Sequence, residues 1–255
     1  STNTWVSTID GKIEGKHLLF DPEKSTSFYM EGGNGCTINF GSGTLCGEFG
    51  YDDVWLNYND KSERIHIERQ QMGFVEKAEV FDDTFDCIVG LAFKKMAAKG
   101  TVPIMDNIID EGVLMRNIFS FYLSQGDEDH EKGLTSKLVF GKIDQSDIVG
   151  PITWFDVTDK DFWALKLTDI LLDDKSLGLC DDQDCLITPD SGTSCITFPT
   201  WARDKVKSLM PEDEPCESDT QYKTLTFEIM DTEGVKRKFS LESERYIAIS
   251  DEDKS

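Results

Sequence analysis

Strict alternation of apolar and polar residues is the clearest pattern along this chain. In Thr224–Met230, Leu225, Phe227 and Ile229 occupy every second position, the period of a strand with one buried face. Asp231 to Gly234 supplies turn chemistry and VKRKFSL follows, so residues 224–241 are expected to form a β-hairpin. Ile38 to Gly50 reads the same way, with two short arms around the glycine-rich turn Gly41-Ser42-Gly43. SKLVFGKI (136–143), ITWFDV (152–157) and FWALKLTDILL (162–172) are further strand-like runs. Two segments carry a helical period instead. In VPIMDNIIDEGV, residues 104, 105, 108 and 109 share one helical face, with Gly112 placed to cap the C-terminus. PTWARDKVKSLM, ending before Pro211, is the other. Many strands with few helices imply a mainly β protein. No tandem repeat interrupts the pattern, only acidic loops such as GDEDHEKG (126–133).

At 255 residues the chain is long enough for one large domain or two smaller ones, each with a real core. A mean hydropathy of −0.38 and the lack of a long uncharged apolar run exclude a transmembrane helix. The opening STNTWVST has neither the basic nor the apolar region of a signal peptide. Charge narrows the partners: 49 acidic residues against 26 basic ones leave a net −23, so neither nucleic acid nor an anionic membrane surface is an expected partner. Such a charge serves solubility, or suits an acidic compartment where carboxylates are partly neutralised.

Seven cysteines are too few for a disulfide scaffold. The spacing of CDDQDC (Cys180 to Cys185) permits a small closed loop but differs from the CxxC of redox and zinc sites. His17, His66 and His130 lie far apart and no HExxH occurs, so no metal site and no metal cofactor are expected.

The chemistry concentrates in Asp190-Ser191-Gly192-Thr193-Ser194. A carboxylate followed by a hydroxyl and a glycine sits in a tight loop whose N–H and O–H groups can fix its orientation. Alone, such a triplet is commonly a surface turn. Here Leu186 and Ile187 precede it and Ile196 and Phe198 follow, so the loop is expected to join core strands and to hold an oriented, partly buried acid.

With these residues on the page, the chain resembles the pepsin-like aspartic proteases, the family of pepsin and cathepsin D, in eight segments that follow the family's order. STNTWV resembles the segment directly after the first catalytic Asp-Thr-Gly, and HLLFDPEKSTSF the strand and serine-rich run beyond it. INFGSGTLCGEFGYDDV resembles the flap hairpin that closes over substrate. FDCIVGLAF is similar to the stretch whose hydrophobic-hydrophobic-Gly unit supports the catalytic loop. VPIMDNIIDEGVLMRNIFSFYLS, LVFGKIDQS and ITWFDVTDKDFWALKL resemble the following helix and strand, the lobe boundary and the opening of the second lobe. CDDQDCLITPDSGTS resembles the small disulfide loop and the second catalytic Asp-[Ser/Thr]-Gly-Thr-Ser.

The resemblance implies a bilobed, mainly β acid-protease fold. Residues 1–146 would form the N-terminal lobe, with the flap at 36–50, and residues 147–255 the C-terminal lobe. It implies an aspartic endopeptidase in which two aspartates, one per lobe, share a proton across a water molecule, without metal, cofactor or covalent intermediate. Asp190 would be the second-lobe carboxylate. Gly192, Thr193 and Ser194 would be its loop partners and substrate contacts, supported by Ser191 and Ser1. Phe40, Gly41 and Ser42 at the flap tip would meet an extended peptide or protein substrate by strand addition, with Trp5 packed beneath. The protein would be a monomer of the secretory route, in an acidic lysosome- or vacuole-like compartment or secreted.

Some positions depart from the family pattern. The first Asp-Thr-Gly would lie immediately before Ser1, and the closing segment of the second lobe beyond Ser255, so the chain reads as a fragment lacking one catalytic aspartate. Phe40 replaces the flap tyrosine and loses its hydroxyl. Pro189 stands where an apolar strand residue is usual, and its missing N–H would remove a ladder bond from a central strand. On these two departures rests the alternative, a catalytically inactive peptide-binding protein of the same fold. The resemblance implies a Cys180–Cys185 disulfide and hence an oxidising compartment. It leaves Cys216 to a partner beyond the chain. Cys36 and Cys46 are either a pair across the hairpin or two free thiols, and Cys87 and Cys195 are read as buried free thiols.

Overall fold

The computed structural model describes residues 1–12, 15–30, 32–33, 35–40, 43–57, 60–62, 64–78, 85–98, 100–124, 131–133, 135–207 and 222–247. The chain divides into two compact units, Ser1–Pro151 and Ile152–Ser255.

The first unit is built on strands β1 (Trp5–Lys12), β2 (Tyr29–Met30), β3 (Cys36–Phe40), β4 (Gly43–Leu56), β5 (Ile65–Ala78) and β6 (Cys87–Ile88). They form one sheet in the order β2-β4-β5-β1-β6, with β3 added alongside β4. Among these described strands, β1 and β5 are the parallel pair. The expected hairpin is present, its register running from Cys36 opposite Gly47 to Phe40 opposite Gly43. The tip residues Gly41 and Ser42 lie outside the described residues. Where β4 slips register between Asp52 and Val54, Arg69 of β5 adopts a left-handed φ of 51°, and the Asp53 carboxylate accepts its N–H at 3.0 Å. A side-chain acceptor thus satisfies the donor that the bulge would orphan.

Helix α1 (Ile104–Asp110) follows the helical period, burying Ile104 and Ile108 against Ile67 of β5 while Ile109 stays exposed. Its last turn closes with Gly112 at φ 65°, donating to the Ile109 carbonyl. Strands β7 (Phe119–Tyr122) and β8 (Lys137–Phe140) form a separate two-stranded sheet. The first five residues of the acidic 126–133 loop lie outside the described residues, His130 among them. The other two histidines each meet a carboxylate of their own, His17 with Asp86 and His66 with Asp53.

The second unit contains β9 (Val157–Asp159), β10 (Ala164–Leu172), β11 (Lys175–Ser176), β12 (Cys185–Ile187), α2 (Thr200–Lys207), β13 (Leu225–Met230) and β14 (Lys236–Leu241). The sheet runs β11-β10-β13-β14, with β12 and β9 also paired to β10. The alternation in β13 does what it predicts: Leu225, Phe227 and Ile229 all enter the core, with Leu167, Ile170 and Leu172 of β10 and Ala202 and Val206 of α2. Each such side chain removed from water contributes about 1.5–3 kcal/mol. The β13–β14 turn is fixed by Asp231, whose carboxylate accepts N–H groups of Glu233 at 2.9 Å and Val235 at 2.8 Å.

Three expectations are corrected here. Residues 152–156 of ITWFDV are not strand; β9 starts at Val157, because the apolar run finds no ladder partner among the described residues before that point. The strand expected from Phe162 begins at Ala164, with Phe162 and Trp163 in the preceding turn. Cys87 and Cys195 are free, as expected, but exposed rather than buried. Cys87 is in the short strand β6, where Ile88, the next residue, is the one packed on the Trp5 cluster, and Cys195 follows the unpaired Asp190 loop. Cys36 and Cys46 are also free thiols, since Cys36 faces Gly47 while Cys46 faces Thr37, which places the two on opposite sides of the hairpin. Cys216 and residues 208–210 of the second helical segment lie outside the described residues.

Candidate active site

Each unit carries its own part of the expected site. In the second unit a disulfide joins Cys180 to Cys185, and it anchors the start of β12, where Cys185 is buried opposite Leu167. Three residues after β12 ends comes Asp190. One carboxylate oxygen accepts the Gly192 N–H at 2.9 Å and the other accepts the Thr193 hydroxyl at 2.8 Å. The Thr193 N–H closes the turn on the Asp190 carbonyl at 3.3 Å. The two donors fix the carboxylate plane. Partial burial pushes the carboxyl up, but the Gly192 and Thr193 donors outweigh it and hold Asp190 below the usual carboxylate range.

The loop itself differs from expectation in two respects. Asp190 is an exposed residue, as are Ser191, Gly192, Thr193 and Ser194. Among the described residues only the preceding strand belongs to the core: residues 188–199 pair with no described strand, Ile196 is 42% exposed, and of this stretch Phe198 packs back on the core cluster. The orientation of Asp190 therefore comes from its own loop donors and not from enclosure. Among the described residues Pro189 removes no ladder bond, because it lies two residues past the end of β12, whose described partner is β10.

In the first unit Trp5 is 1% exposed and packs on both arms of the hairpin, against Cys36 and Ile38 of β3 and Leu45 of β4, with Phe49 at a ring-centroid distance of 5.3 Å. The hairpin base is thus wedged by one indole at the start of β1. A glycine makes room for it: a Cβ on Gly73 would sit 2.1 Å from the Trp5 ring. The backbone of Phe40 ends β3. Ser1 is exposed; its hydroxyl donates to the Asn3 carbonyl at 3.2 Å and its carbonyl accepts the Ala92 N–H at 3.1 Å.

Sequence reasoning did not find Asn3 and Thr101. Asn3 donates to the Thr101 hydroxyl at 2.7 Å across 98 residues, and no local pattern signals a polar pair so distant in sequence.

A mainly β chain with an Asp-Ser-Gly-Thr carboxylate cradle after a disulfide loop, and a tryptophan-wedged hairpin, defines an aspartic-protease class of protein. The comparison with known families agrees: the model of the eukaryotic aspartyl proteases matches residues 1–255, and the chain belongs to that family, with its pepsin-like fold. It is 29% identical to gastricsin of Rattus norvegicus over 240 residues, covering 89% of this chain and 58% of that protein. It is 33% identical to aspartic protease 3 of Toxoplasma gondii over 260 residues, which is 98% of this chain and 39% of that protein. With cathepsin E of Rattus norvegicus it shares 33% identity over 214 residues, 82% of this chain and 50% of that protein. The chain spans about half the length of the curated relatives it matches.

Proposed function

We propose that the whole protein is an aspartic endopeptidase that hydrolyses peptide bonds with two carboxylates and a water molecule, and that Asp190 is one of the two. The observation that carries this reading is the Asp190 cradle. Gly192 and Thr193 keep one face of an ionisable carboxylate occupied and its pKa low, which suits the base of a pair that shares one proton. The partner aspartate would come from an Asp-Thr-Gly directly before Ser1. Like charges that close resist double ionisation, so one group takes a proton from water while the other gives one to the leaving amine, and the pair works in acid.

In this reading Gly41 and Ser42 at the flap tip, with Phe40 behind them, offer main-chain and hydroxyl contacts to an extended peptide. Gly192, Thr193 and Ser194 contact the same peptide, with Ser191 and Ser1 in support. The chemistry calls for no cofactor. The Cys180–Cys185 disulfide supports an oxidising route, and the net charge of −23 suits a monomer in an acidic compartment. Among the described residues no helix is long and apolar enough to cross a membrane.

The test is cleavage of a denatured protein by the full-length enzyme near pH 4 and at neutral pH, beside its Asp190→Asn variant. Acid-favoured cleavage that vanishes in the variant is the expected result. A folded full-length protein that cleaves nothing at any pH, or a variant that cleaves as well as the parent, would overturn the reading.

A further inference from the structure

Residues Ser1–Thr4 are held from two sides by residues 90–98 and 100–101. On the near side the Ala92 N–H donates to the Ser1 carbonyl at 3.1 Å and the Thr2 hydroxyl donates to the Phe93 carbonyl at 3.4 Å. Gly90 approaches so closely that a Cβ there would lie 2.2 Å from the Thr2 carbonyl carbon. On the far side three hydrogen bonds close a ring. Asn3 Nδ2 donates to Thr101 Oγ1 at 2.7 Å, Thr101 Oγ1 donates to the Ala98 carbonyl at 2.6 Å, and the Ala98 N–H donates to Asn3 Oδ1 at 2.9 Å.

Asn3 and Thr101 are both buried. Both ends of the Asn3 amide are engaged, so its flip state is set, and the Thr101 hydroxyl accepts and donates at once. A satisfied buried network of this kind contributes little net stability over an apolar pair of the same shape, but it fixes one arrangement. What it fixes is the path of the backbone through Ser1–Thr4.

We propose that the Asn3–Thr101–Ala98 ring is a positioning device for the first catalytic carboxylate, acting through the segment Ser1–Thr4. The inference rests on the aspartic endopeptidase reading, in which the first catalytic loop runs directly into Ser1. Asn3 and Thr101 are buried and bond to each other and to the Ala98 backbone; they act through the backbone, setting where the loop leaves its aspartate. Displacement of a reacting group by about 1 Å costs on the order of 10²-fold in rate. Such a loss falls on kcat, because in the endopeptidase reading the peptide is held by residues of the flap and of the Asp190 loop, and the ring is built from neither.

The experiment uses the full-length protein and three variants. Thr101→Val removes the hydroxyl while keeping the shape, Thr101→Ser keeps the hydroxyl, and Asn3→Asp leaves an acceptor for Ala98 that donates to Thr101 only when protonated. The expected result is a kcat lowered about 10- to 100-fold in Thr101→Val, with KM changed by less than about twofold and kcat largely recovered in Thr101→Ser. Asn3→Asp is expected to lose kcat, relative to the parent, as pH rises through the carboxyl range, and this readout remains if Thr101→Val does not fold. The proposal is overturned if Thr101→Val keeps the parent kcat, if the valine and serine variants lose equally, or if Asn3→Asp follows the parent pH profile. A parent that cleaves nothing refutes the endopeptidase reading and this proposal with it. A parent that cleaves, with variants that do not respond as stated, refutes the positioning role alone.

Discussion

Gly73→Ala is the smallest perturbation that tests how the hairpin is held. Gly73 lies in β5 between two neighbours, opposite Trp5 on β1 and Phe49 on β4, and its N–H donates to the Thr4 carbonyl at 2.9 Å. An added Cβ would fall 2.1 Å from Cε3, 2.2 Å from Cζ3 and 2.8 Å from Cδ2 of the Trp5 indole. Unbonded carbons rest about 3.5–4.0 Å apart, so the ring would have to withdraw by roughly 1.4 Å. It has nowhere to go, because Leu45, Val75 and the Phe49 ring close its other sides. Overpacking of this kind costs about 1–3 kcal/mol. Loss of glycine freedom in the unfolded chain returns about 0.4–1 kcal/mol. An approach of 2.1 Å places this case in the upper half of that cost, about 2–3 kcal/mol, so a net destabilisation of about 1–2.6 kcal/mol is expected in urea unfolding followed by far-ultraviolet circular dichroism. The control is a double-mutant cycle with Trp5→Leu, which pays its own cavity penalty but clears the space. In that background Gly73→Ala is expected to be nearly neutral, a coupling of at least about 1 kcal/mol. Equal cost in both backgrounds, or a cost below about 0.5 kcal/mol in the parent, would refute the wedge.

Two further outcomes concern carboxylates. Burial pushes the Asp231 carboxyl up, but the Val235 N–H, Arg237 and the Glu233 N–H outweigh it and hold it below its ordinary range. A pKa lowered by folding stabilises above the unfolded value of about 3.9 and is lost as pH falls through the folded value, so the protection factors of the Glu233 and Val235 amides, measured against their intrinsic exchange rates at each pH, should fall below about pH 4. Asp231→Asn should flatten that response while loosening the turn at neutral pH; the same acid response in both proteins would sink the idea. In the Asp190 loop, Thr193→Val removes one of the two donors, and the carboxyl should titrate higher, toward its ordinary value, when followed by carbon NMR. An unmoved midpoint would mean that the hydroxyl does not set it.

The elements that could be read from the chain are those with one buried face. β13 alternates because one side meets β10 and α2 while the other meets solvent or polar neighbours, and α1 keeps its period because only Ile104 and Ile108 need cover. β5 gave no such signal. Every residue from Gln70 to Val75 is buried, so polar side chains stand where a one-faced strand would show only apolar ones. Gln70 repays its burial through distant partners, donating to the carbonyls of Gln71 and Val102 and accepting from Asn107. Conversely ITWFDV has the composition of a strand without a partner, and composition cannot supply the ladder.

The same distinction governs the site. The Asp190 cradle was legible because its bonds close within three residues: aspartate, glycine and threonine in one turn carry their own geometry wherever the turn lies. Its exposure was not legible, since the flanking apolar residues that suggested enclosure include Leu186 at 52% and Ile196 at 42% exposed. Exposure is decided by what packs over a loop, and that is a property of the whole fold. The Asn3–Thr101 ring stands at the other extreme, joining residues 98 apart that are individually unremarkable as polar groups. A carboxylate that is oriented locally but left uncovered has direction without confinement. If Asp190 works with a second carboxylate, as proposed, the position of that partner has to be set by contacts remote in sequence, and a buried, hydrogen-bonded ring at the root of Ser1–Thr4 is the kind of contact that can set it.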